Sequence, residues 1–327
     1  MPIISVIIPV FNGEKTIKLA ISSVLQQTLA DFELIIINAN STDSTLDMIE
    51  QIQDERIRVF SYPKANVAVN RNRGVQHSSC EFITFLDADD IWTPNKLEAQ
   101  YTALVKHPEA AVAYSWTNCI DENGKFLRPC SYVQWVGDVY HKLLLDDFIG
   151  SGSNVMIRKS AFTAVGGFNE SLTNAQDTDL WLRLAANYHF IVIPEPQILY
   201  RISANSMSSD ILGLEKSNLQ VIKQAFAHQK AESLQYLKKY SIANLYKYLS
   251  YKVLDVTPGK QKTLQAVRIL ATAIKSDPSL VLKPVIFKAF LKLTVMTVLP
   301  SQLAQQLLNK FPKLSNTSTF LGYEKTS

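Results

Sequence analysis

The chain has 327 residues, of which 47% are hydrophobic and 19% charged, a composition that excludes an intrinsically disordered protein and leaves room for one large or two ordinary domains. The formal net charge of +4 is unevenly distributed, because residues 1–210 hold 16 Lys and Arg against 24 Asp and Glu, whereas residues 211–327 hold 17 against 5. The first part thus carries −8 and the second +12, which predicts a basic module that binds an anionic surface.

Cysteine usage and hydropathy indicate the setting of the protein. Cys80, Cys119 and Cys130 are too few and too scattered for a disulfide framework or a zinc site, so a reducing, cytoplasmic setting is expected. No basic segment precedes the N-terminal apolar run, so no signal peptide is predicted. The best candidate for a membrane span, residues 284–300, contains two lysines and is too short.

Strand and helix patterns alternate through the first 115 residues. Strands are predicted at residues 3–9, 34–38, 56–60, 82–86 and 111–115, and helices at 13–27, from 41 onward, at 67–77 and at 94–106. This alternation is typical of βαβ units and predicts an α/β fold with a mostly parallel sheet flanked by helices.

The pattern is looser beyond residue 115. A strand is predicted at 154–158, a helix at 177–187, short strands at 191–193 and 198–201, and helices from 211 onward with breaks at Thr257-Pro258-Gly259 and Asp277-Pro278. We therefore predict an α/β domain over residues 1–210 and a basic, all-helical region over residues 211–327.

The most informative stretch ends the fourth predicted strand. One residue separates Asp87 from Asp89, so on an extended strand both side chains point the same way. They would lie at the sheet edge where parallel α/β sheets bind ligands. Two carboxylates suit Mg²⁺ or Mn²⁺, whose coordination substrate phosphates complete. The alternative is an acidic, solvated turn in which Asp90 caps a helix.

The other strand-end loops favour a nucleotide ligand. Neither a Gly-x-Gly-x-x-Gly motif nor a Walker motif is present, which disfavours dinucleotide and P-loop chemistry. Residues 9–12 and 38–43 are expected on the same sheet edge as residues 87–90. An aromatic ring at Phe11, polar loop groups and a carboxylate pair suit a nucleoside diphosphate, with the base near Phe11 and the pyrophosphate at the metal.

Several further motifs follow one another in order: Ser5–Gly13, Ser22–Thr28, Asp31–Ile36, Arg71–Gly74, Phe85–Asp90 and Gln176–Leu184. This set resembles the family 2 glycosyltransferases with the GT-A fold over roughly residues 3–208. The resemblance implies transfer of a sugar from a nucleoside-diphosphate sugar to a hydroxyl of a glycan or lipid-linked acceptor, with inversion at the anomeric carbon. It also implies a nucleotide-binding half at about 1–115, an acceptor half at about 116–210, and a place in cell-envelope or exopolysaccharide synthesis.

The resemblance implies roles for individual residues. Asp87 and Asp89 hold the metal on the diphosphate, Asp177 is the general base and Arg71 lies beside the nucleotide. The implied nucleotide-sugar-binding residues are Pro9, Phe11, Asn12, Asn38, Ala39, Arg71 and Asp87. A base is needed because a sugar hydroxyl is a poor nucleophile, and a cation stabilises the leaving diphosphate. For Asp177 the alternative is an acid in a first helical turn that favours the helix dipole.

Three departures from the family pattern affect recognition of the donor. Ala39 replaces an aspartate that in relatives accepts the N–H of a uracil-like base, while Asn40 can adopt the left-handed conformation of the glycine that it replaces. Ser203 stands where many relatives carry histidine, and Gln176 replaces glutamate before the base. We expect an active enzyme that only weakly prefers donors with a uracil base over donors with another base.

Other polar residues are assigned structural roles. The five histidines are scattered, Trp181 and Arg183 are expected to pack, and Asp146 and Asp147 are expected at a solvated helix end. Asp179 is expected only to favour the helix dipole. A phosphohydrolase is disfavoured because Ile91 stands where that class needs threonine; a nucleotide-sugar-binding module with weak catalysis and a membrane-docking tail is the main alternative.

The basic tail admits two interpretations. Residues 281–298 are apolar on nearly all sides, with Lys288 and Lys292 on one stripe. The tail is either a helical bundle that packs on the catalytic domain or a module that docks on an anionic leaflet. Nucleic acid is not an expected partner, because the lysines lack interleaved aromatics. We expect a cytoplasmic protein bound peripherally to the inner face of the plasma membrane.

Overall fold

The computed structural model describes residues 2–203, 210–254, 260–311, 316, 317 and 320. The chain divides into two compact units, which are described separately. The first comprises Met1–Leu143 and Asp147–Ser203, and the second comprises Leu144–Asp146 and Ala204–Ser327. The division falls before the boundary predicted at residue 210.

One mixed sheet organises the first unit. Its strand order is β3-β2-β1-β4-β8-β6-β9-β5, with β7 paired to β6. The strands are β1 (Ile4–Val10), β2 (Phe32–Asn38), β3 (Ile57–Ser61), β4 (Phe82–Phe85), β5 (Ile91–Trp92), β6 (Ala110–Ile120), β7 (Phe126–Ser131), β8 (Met156–Arg158) and β9 (His189–Arg201). The strands β3, β2, β1 and β4 run parallel, so the carboxyl ends of β1, β2 and β4 meet at one edge.

Helices cover both faces of the buried strand β1, which explains its continuous apolar sequence. Ile4, Val6, Ile8 and Val10 join a core that also contains apolar residues of α1 and α4, while the alternate residue Ile7 faces Gly74 of α3. The helices of this unit are α1 (Ile17–Leu25), α2 (Thr45–Glu50), α3 (Val67–His77), α4 (Lys96–Lys106), α5 (Tyr140–Leu143), α6 (Lys159–Ala164) and α7 (Gln176–Asn187).

The predicted α/β fold class is confirmed, and the structure adds detail in the second half of the sheet. There β8 is antiparallel to β4 and to β6, and the short strands β5 and β7 were not predicted. The two strands predicted at 191–193 and 198–201 are one strand, β9. Its pairing with β6 shifts register around Pro196, because a bulge accommodates a residue without an N–H group.

The second unit is helical in its described residues. Its α-helices are α8 (Ile211–Ala227), α9 (Lys238–Leu254), α10 (Lys260–Ser276), α11 (Pro284–Val298) and α12 (Ser301–Lys310), with 3₁₀ segments at Gln229–Leu237 and Pro278–Leu282. The break predicted at Asp277-Pro278 is confirmed, whereas the one at Thr257-Pro258-Gly259 lies outside the described residues. None of the helices described is long and apolar enough to cross a membrane.

The contact between α3 and β1 generates a stability prediction. A Cβ atom on Gly74 would lie 2.3 Å from Cγ2 of the buried Ile7, so one of the two elements must shift. We expect Gly74→Ala to lower the free energy of unfolding by about 1–3 kcal/mol, as overpacking of a core does. Urea unfolding followed by circular dichroism measures the change.

The matched control is Gln76→Ala, at an exposed position two residues along the same helix. This change adds no atom to the core and should alter the free energy of unfolding by less than about 0.5 kcal/mol. Equal stabilities of the two variants would contradict the packing assigned to Gly74.

Candidate active site

Hydrogen bonds join the loops that follow β1 and β2. The backbone N–H of Asn12 donates to Ser41 Oγ (3.0 Å), and Asn12 Oδ1 accepts the backbone N–H of Thr42 (2.8 Å). Asn12 and Asn40 both have left-handed backbones, with φ of 52° and 58°, so the conformation predicted for Asn40 is confirmed. Asparagine tolerates this region better than most residues with a side chain, and the two loops are thereby held against each other.

An exposed aromatic ring and a cation lie at this edge. Phe11 is 40% exposed, and Lys64 Nζ lies 3.9 Å from the centre of its ring. The sequence predicted Phe11 but not Lys64. Pro9 and Asn38 are buried, and Asn38 Oδ1 accepts the backbone N–H of Ser41 (3.0 Å).

Ala39 is also fully buried, and its backbone N–H donates to Val10 O (2.8 Å). The side chain is a methyl group, so it supplies no hydrogen-bond acceptor to a base. The weak discrimination for uracil that follows from this residue stays a prediction.

Asp87 and Asp89 lie in a turn rather than on a strand. The strand β4 ends at Phe85, and the N–H of Asp90 donates to Asp87 O (3.0 Å), so the alternation of an extended chain does not apply. The two carboxylates still interact. Burial, and next the negative charge of Asp87, raise the pKa of Asp89 to about 6, against an opposing effect of Arg201.

Asp90 anchors this turn, a role that the sequence did not reveal. Asp90 is buried, accepts from Ser153 Oγ (2.6 Å) and accepts the backbone N–H of Arg201 (2.9 Å). Ser153 Oγ also accepts the N–H of Asp87 (3.0 Å), and Arg201 Nε donates to Asp89 O (2.8 Å). Asp90 is therefore neither a solvated acid nor a helix cap but an anchor for the two preceding aspartates.

Arg71 is the centre of the site. It extends from α3, is 1% exposed, donates to Asp87 Oδ1 (2.7 Å) and forms a second ion pair with Asp177. A Cβ atom on Gly152 would lie 2.3 Å from the guanidinium, so the backbone of that glycine packs directly on it. Although burial opposes its charge, Asp177 and Asp87 raise the pKa of Arg71 above its ordinary value, and it stays protonated.

Asp177 occupies the first turn of α7. Its pKa is raised to about 6, chiefly by burial; Arg71 opposes this shift, and the charges of Asp87 and Asp147 add to it. Ala175, two residues before Asp177, has a left-handed backbone with φ of 57°. This conformation costs a residue with a Cβ atom roughly 1 kcal/mol. This strained residue fixes the point at which the helix, and with it Asp177, begins.

The packing roles assigned to Trp181 and Arg183 are confirmed, whereas Asp179, which was expected only to favour the helix dipole, is buried and also pairs with Arg183. Trp181 is fully buried, and Arg183 pairs with Asp179 (2.6 Å). The assignment of Asp147 to a solvated helix end is wrong, because its carboxylate accepts Thr178 Oγ1 (2.6 Å) and backbone N–H groups of the following loop. Asp147 thus holds the start of α7 beside Asp177.

Asp87 and Asp89 are suitable ligands for a divalent cation. Among the residues that the structure describes, no group of three or more His, Cys, Asp or Glu side chains could hold an ion alone. The pKa of Asp89 is raised to about 6, in part by the charge of Asp87, so a cation bound between the two carboxylates would relieve their repulsion. Phosphate oxygens of a substrate would complete the coordination of the cation. The residues therefore fit Mg²⁺ or Mn²⁺.

Comparisons with known proteins agree on one family. Residues 5–253 match the family described as "Glycosyltransferase like family 2". The chain is 31% identical over 252 residues to UDP-Glc:alpha-D-GlcNAc-diphosphoundecaprenol beta-1,3-glucosyltransferase WfgD of Escherichia coli, a match that covers 75% of this chain and 95% of WfgD.

Two solved structures share the fold at low sequence identity. The mannosyltransferase PcManGT of Pyrobaculum calidifontis, in complex with GDP-Man and Mn²⁺, is 16% identical with a TM-score of 0.59, and the match covers 98% of this chain and 85% of PcManGT. TarS 1–349 of S. aureus, in complex with UDP, is 18% identical with a TM-score of 0.52, and the match covers 84% and 88%.

The raised pKa of Asp89 generates a stability prediction for the metal-free protein. Since the folded chain binds this proton more tightly than the unfolded chain, ionisation of Asp89 destabilises the fold as pH rises from about 4 to about 6. We expect Asp89→Asn to raise the free energy of unfolding at neutral pH by about 1–3 kcal/mol and to flatten its pH dependence. Urea unfolding with a chelator present measures both effects.

The control is Asp31→Asn, at an exposed position before β2, which should change stability by less than about 0.5 kcal/mol. A loss of stability in Asp89→Asn would show that this carboxylate supports the fold rather than a ligand.

Proposed function

Because the chain belongs to glycosyltransferase family 2, we propose that it transfers a sugar from a nucleoside-diphosphate sugar to an acceptor hydroxyl, in a metal-dependent reaction that inverts the anomeric carbon. Membership of the family makes it a transferase of the glycosyltransferase class. The main observation behind the metal-dependent, inverting reaction is the buried Arg71, which pairs with both Asp87 and Asp177 and so joins them in one site.

The side chains at the sheet edge support the proposed position of the donor. Phe11 is 40% exposed and offers a ring face for a base to stack on, while the ammonium of Lys64 lies over the ring at 3.9 Å from its centre. The diphosphate lies at Asp87 and Asp89, which would hold Mg²⁺ or Mn²⁺. The position corresponding to a Cβ atom of Gly13 is 3.7 Å from Ala88 Cβ, so the loop that follows β1 approaches the turn directly.

Asp177 is the proposed general base. A carboxylate with a pKa of about 6 is largely ionised at neutral pH yet more basic than an ordinary aspartate, so it can accept the proton of the acceptor hydroxyl during attack. The cation, when bound, stabilises the charge that develops on the leaving diphosphate. One carboxylate on the side of attack serves a single displacement, which inverts the anomeric carbon.

The names of the relatives support a proposal for the acceptor and the donor. WfgD acts, by its name, on a diphosphoundecaprenol-linked GlcNAc, and we propose a lipid-linked or glycan acceptor and a role in envelope or exopolysaccharide synthesis for this chain. The structural neighbours contain UDP in one case and GDP-Man in another, so both bases occur in this fold. With Ala39 in place of an aspartate, we propose weak preference for uracil.

Donor hydrolysis with Mn²⁺ or Mg²⁺ tests the proposed roles. We expect Asp177→Asn to lower the rate by about 10²–10⁴-fold, because the proton acceptor is lost. We expect Asp89→Asn to lower it by at least about 10²-fold, because the cation is held less well. Release of the nucleoside diphosphate, measured by a coupled assay over a panel of UDP- and GDP-sugars, gives the rates.

The control is Asp179→Asn, in the same first turn of α7, which removes the partner of Arg183 but no proposed catalytic group. Its rate should stay within a few-fold of wild type. Hydrolysis that persists in both Asp177→Asn and Asp89→Asn would overturn the assignment. Tight donor binding without turnover would favour a binding module, and release of inorganic phosphate a phosphohydrolase.

The pH profile tests the link between Arg71 and Asp177. The base acts in its ionised form, so kcat/KM should fall as pH falls through about 6. The charge of Arg71 lowers the pKa of Asp177, and its removal in Arg71→Gln should therefore move the acid limb to higher pH as well as lower the maximal rate.

Arg73→Gln is the matched control, since Arg73 lies on the same helix and donates to Pro63 O and Asn70 rather than to the site. Its acid limb should coincide with that of wild type. If Arg71→Gln has an unshifted limb, then Asp177 does not titrate as the base.

A further inference from the structure

Helix α11 of the second unit has apolar side chains on both of its faces. One face, with Val285, Ile286, Ala289, Leu293 and Met296, is buried in the core of the unit. The opposite face is exposed, and Phe287 there is 81% accessible. We call the exposed residues of this face the α11 strip: Phe287, Phe290, Leu291 and Val298.

The segments on either side of α11 in the sequence also expose apolar side chains. Val281 and Leu282, just before the helix, are exposed, as are Leu303 and Leu307 of α12. Exposed apolar residues are ordinary when they are scattered singly, but a run along one helix and its flanking segments marks an interaction surface.

Charge identifies the kind of partner. Residues 260–311 contain eight Lys and Arg but one acidic residue, Asp277, which is paired with Lys247 (2.8 Å). Lys288 and Lys292 are half-buried residues of α11 itself, beside the strip, and Lys283 precedes the helix in an exposed position. The surface thus combines apolar side chains with positive charge and has no acidic residue of its own.

We propose that the α11 strip lies in the headgroup region of an anionic lipid surface, with its aromatic and aliphatic side chains towards the acyl chains. Lysines beside such a strip reach the headgroups with their ammonium groups while their methylene stems cover apolar surface. A second copy of this chain fits less well, because a two-fold contact would bring the same cations together. The proposal concerns a surface of the second unit and does not depend on the transfer reaction.

Vesicle sedimentation of the full-length protein tests the proposal. Wild type should sediment with vesicles of phosphatidylcholine and phosphatidylglycerol at low salt, and much less with pure phosphatidylcholine or at high salt, where the Debye length is only a few ångströms. The double variant Phe287→Ser/Phe290→Ser should lose at least about tenfold in apparent affinity, because the interfacial apolar area is removed. Both positions are exposed, so the fold should be unaffected, as circular dichroism can verify.

The matched control is the double variant Leu19→Ser/Val105→Ser, at two positions of the first unit that are each 53% exposed. This variant should bind anionic vesicles as wild type does. Donor hydrolysis in detergent-free buffer should be the same for both double variants, which separates failure of this proposal from failure of the proposed function.

The variant Phe287→Trp tests how deeply the α11 strip enters the lipid, because its added fluorescence should be quenched by brominated phospholipid in anionic vesicles. Absence of binding at low salt, equal binding of the Phe287→Ser/Phe290→Ser variant, or binding without additional quenching would each overturn the proposal. A concentration-dependent dimer that this double variant abolishes, with no vesicle binding, would assign the strip to a second copy instead.

Discussion

A buried guanidinium imposes the arrangement of the site. Arg71 is 1% exposed, and a charge removed from water to that degree requires compensating charges at hydrogen-bond distance. Asp87 and Asp177 supply them from two segments far apart in the sequence, and Gly152 leaves the space that the side chain occupies. Accommodating this one cation brings together the turn after β4, the start of α7 and the backbone at Gly152.

Burial disfavours the ionised forms of three aspartates at this site, although one of them, Asp177, also compensates the charge of Arg71. Burial raises the pKa of Asp89 and Asp177 to about 6 and raises that of Asp90 as well. Asp89 and Asp90 remain in place because Ser153 and Arg201 hold the turn by its backbone and by the side chain of Asp90, whereas Asp177 is held in α7 by its ion pair with Arg71. Carboxylates with perturbed pKa values cluster at functional sites, which agrees with the roles proposed for Asp89 and Asp177.

The sequence predicts the fold well where the pattern is local. The alternation of apolar runs with amphipathic helices identifies β1 to β4, and α3 is predicted at its observed bounds. The strand β5 has only two residues, and β7 contains Pro129 and lacks a regular alternation of apolar and polar residues, so neither has a strand pattern. The prolines of β9 divide one strand into two apparent ones.

The site residues, too, could be predicted only where the signal is local in the sequence. Asp87, Asp89, Arg71 and Asp177 lie in motifs that a resemblance can transfer, and the structure joins Asp87 and Asp177 through Arg71, although their roles stay predictions. Asp90, Ser153, Asp147 and Lys64 were missed as site residues because their roles arise from partners distant in sequence or from packing. No local pattern reports such pairings, and nothing in the sequence around Ala175 indicates its left-handed backbone.

In the proposed mechanism one carboxylate, Asp177, which Arg71 joins to Asp87, serves a single displacement at the anomeric carbon. The most direct test is the anomeric configuration of the sugar first released when the protein hydrolyses an α-linked nucleoside-diphosphate sugar, followed by proton NMR before mutarotation. The account predicts that the β anomer appears first and then equilibrates. First appearance of the α anomer would contradict it, because retention requires a second nucleophile or a different face of attack.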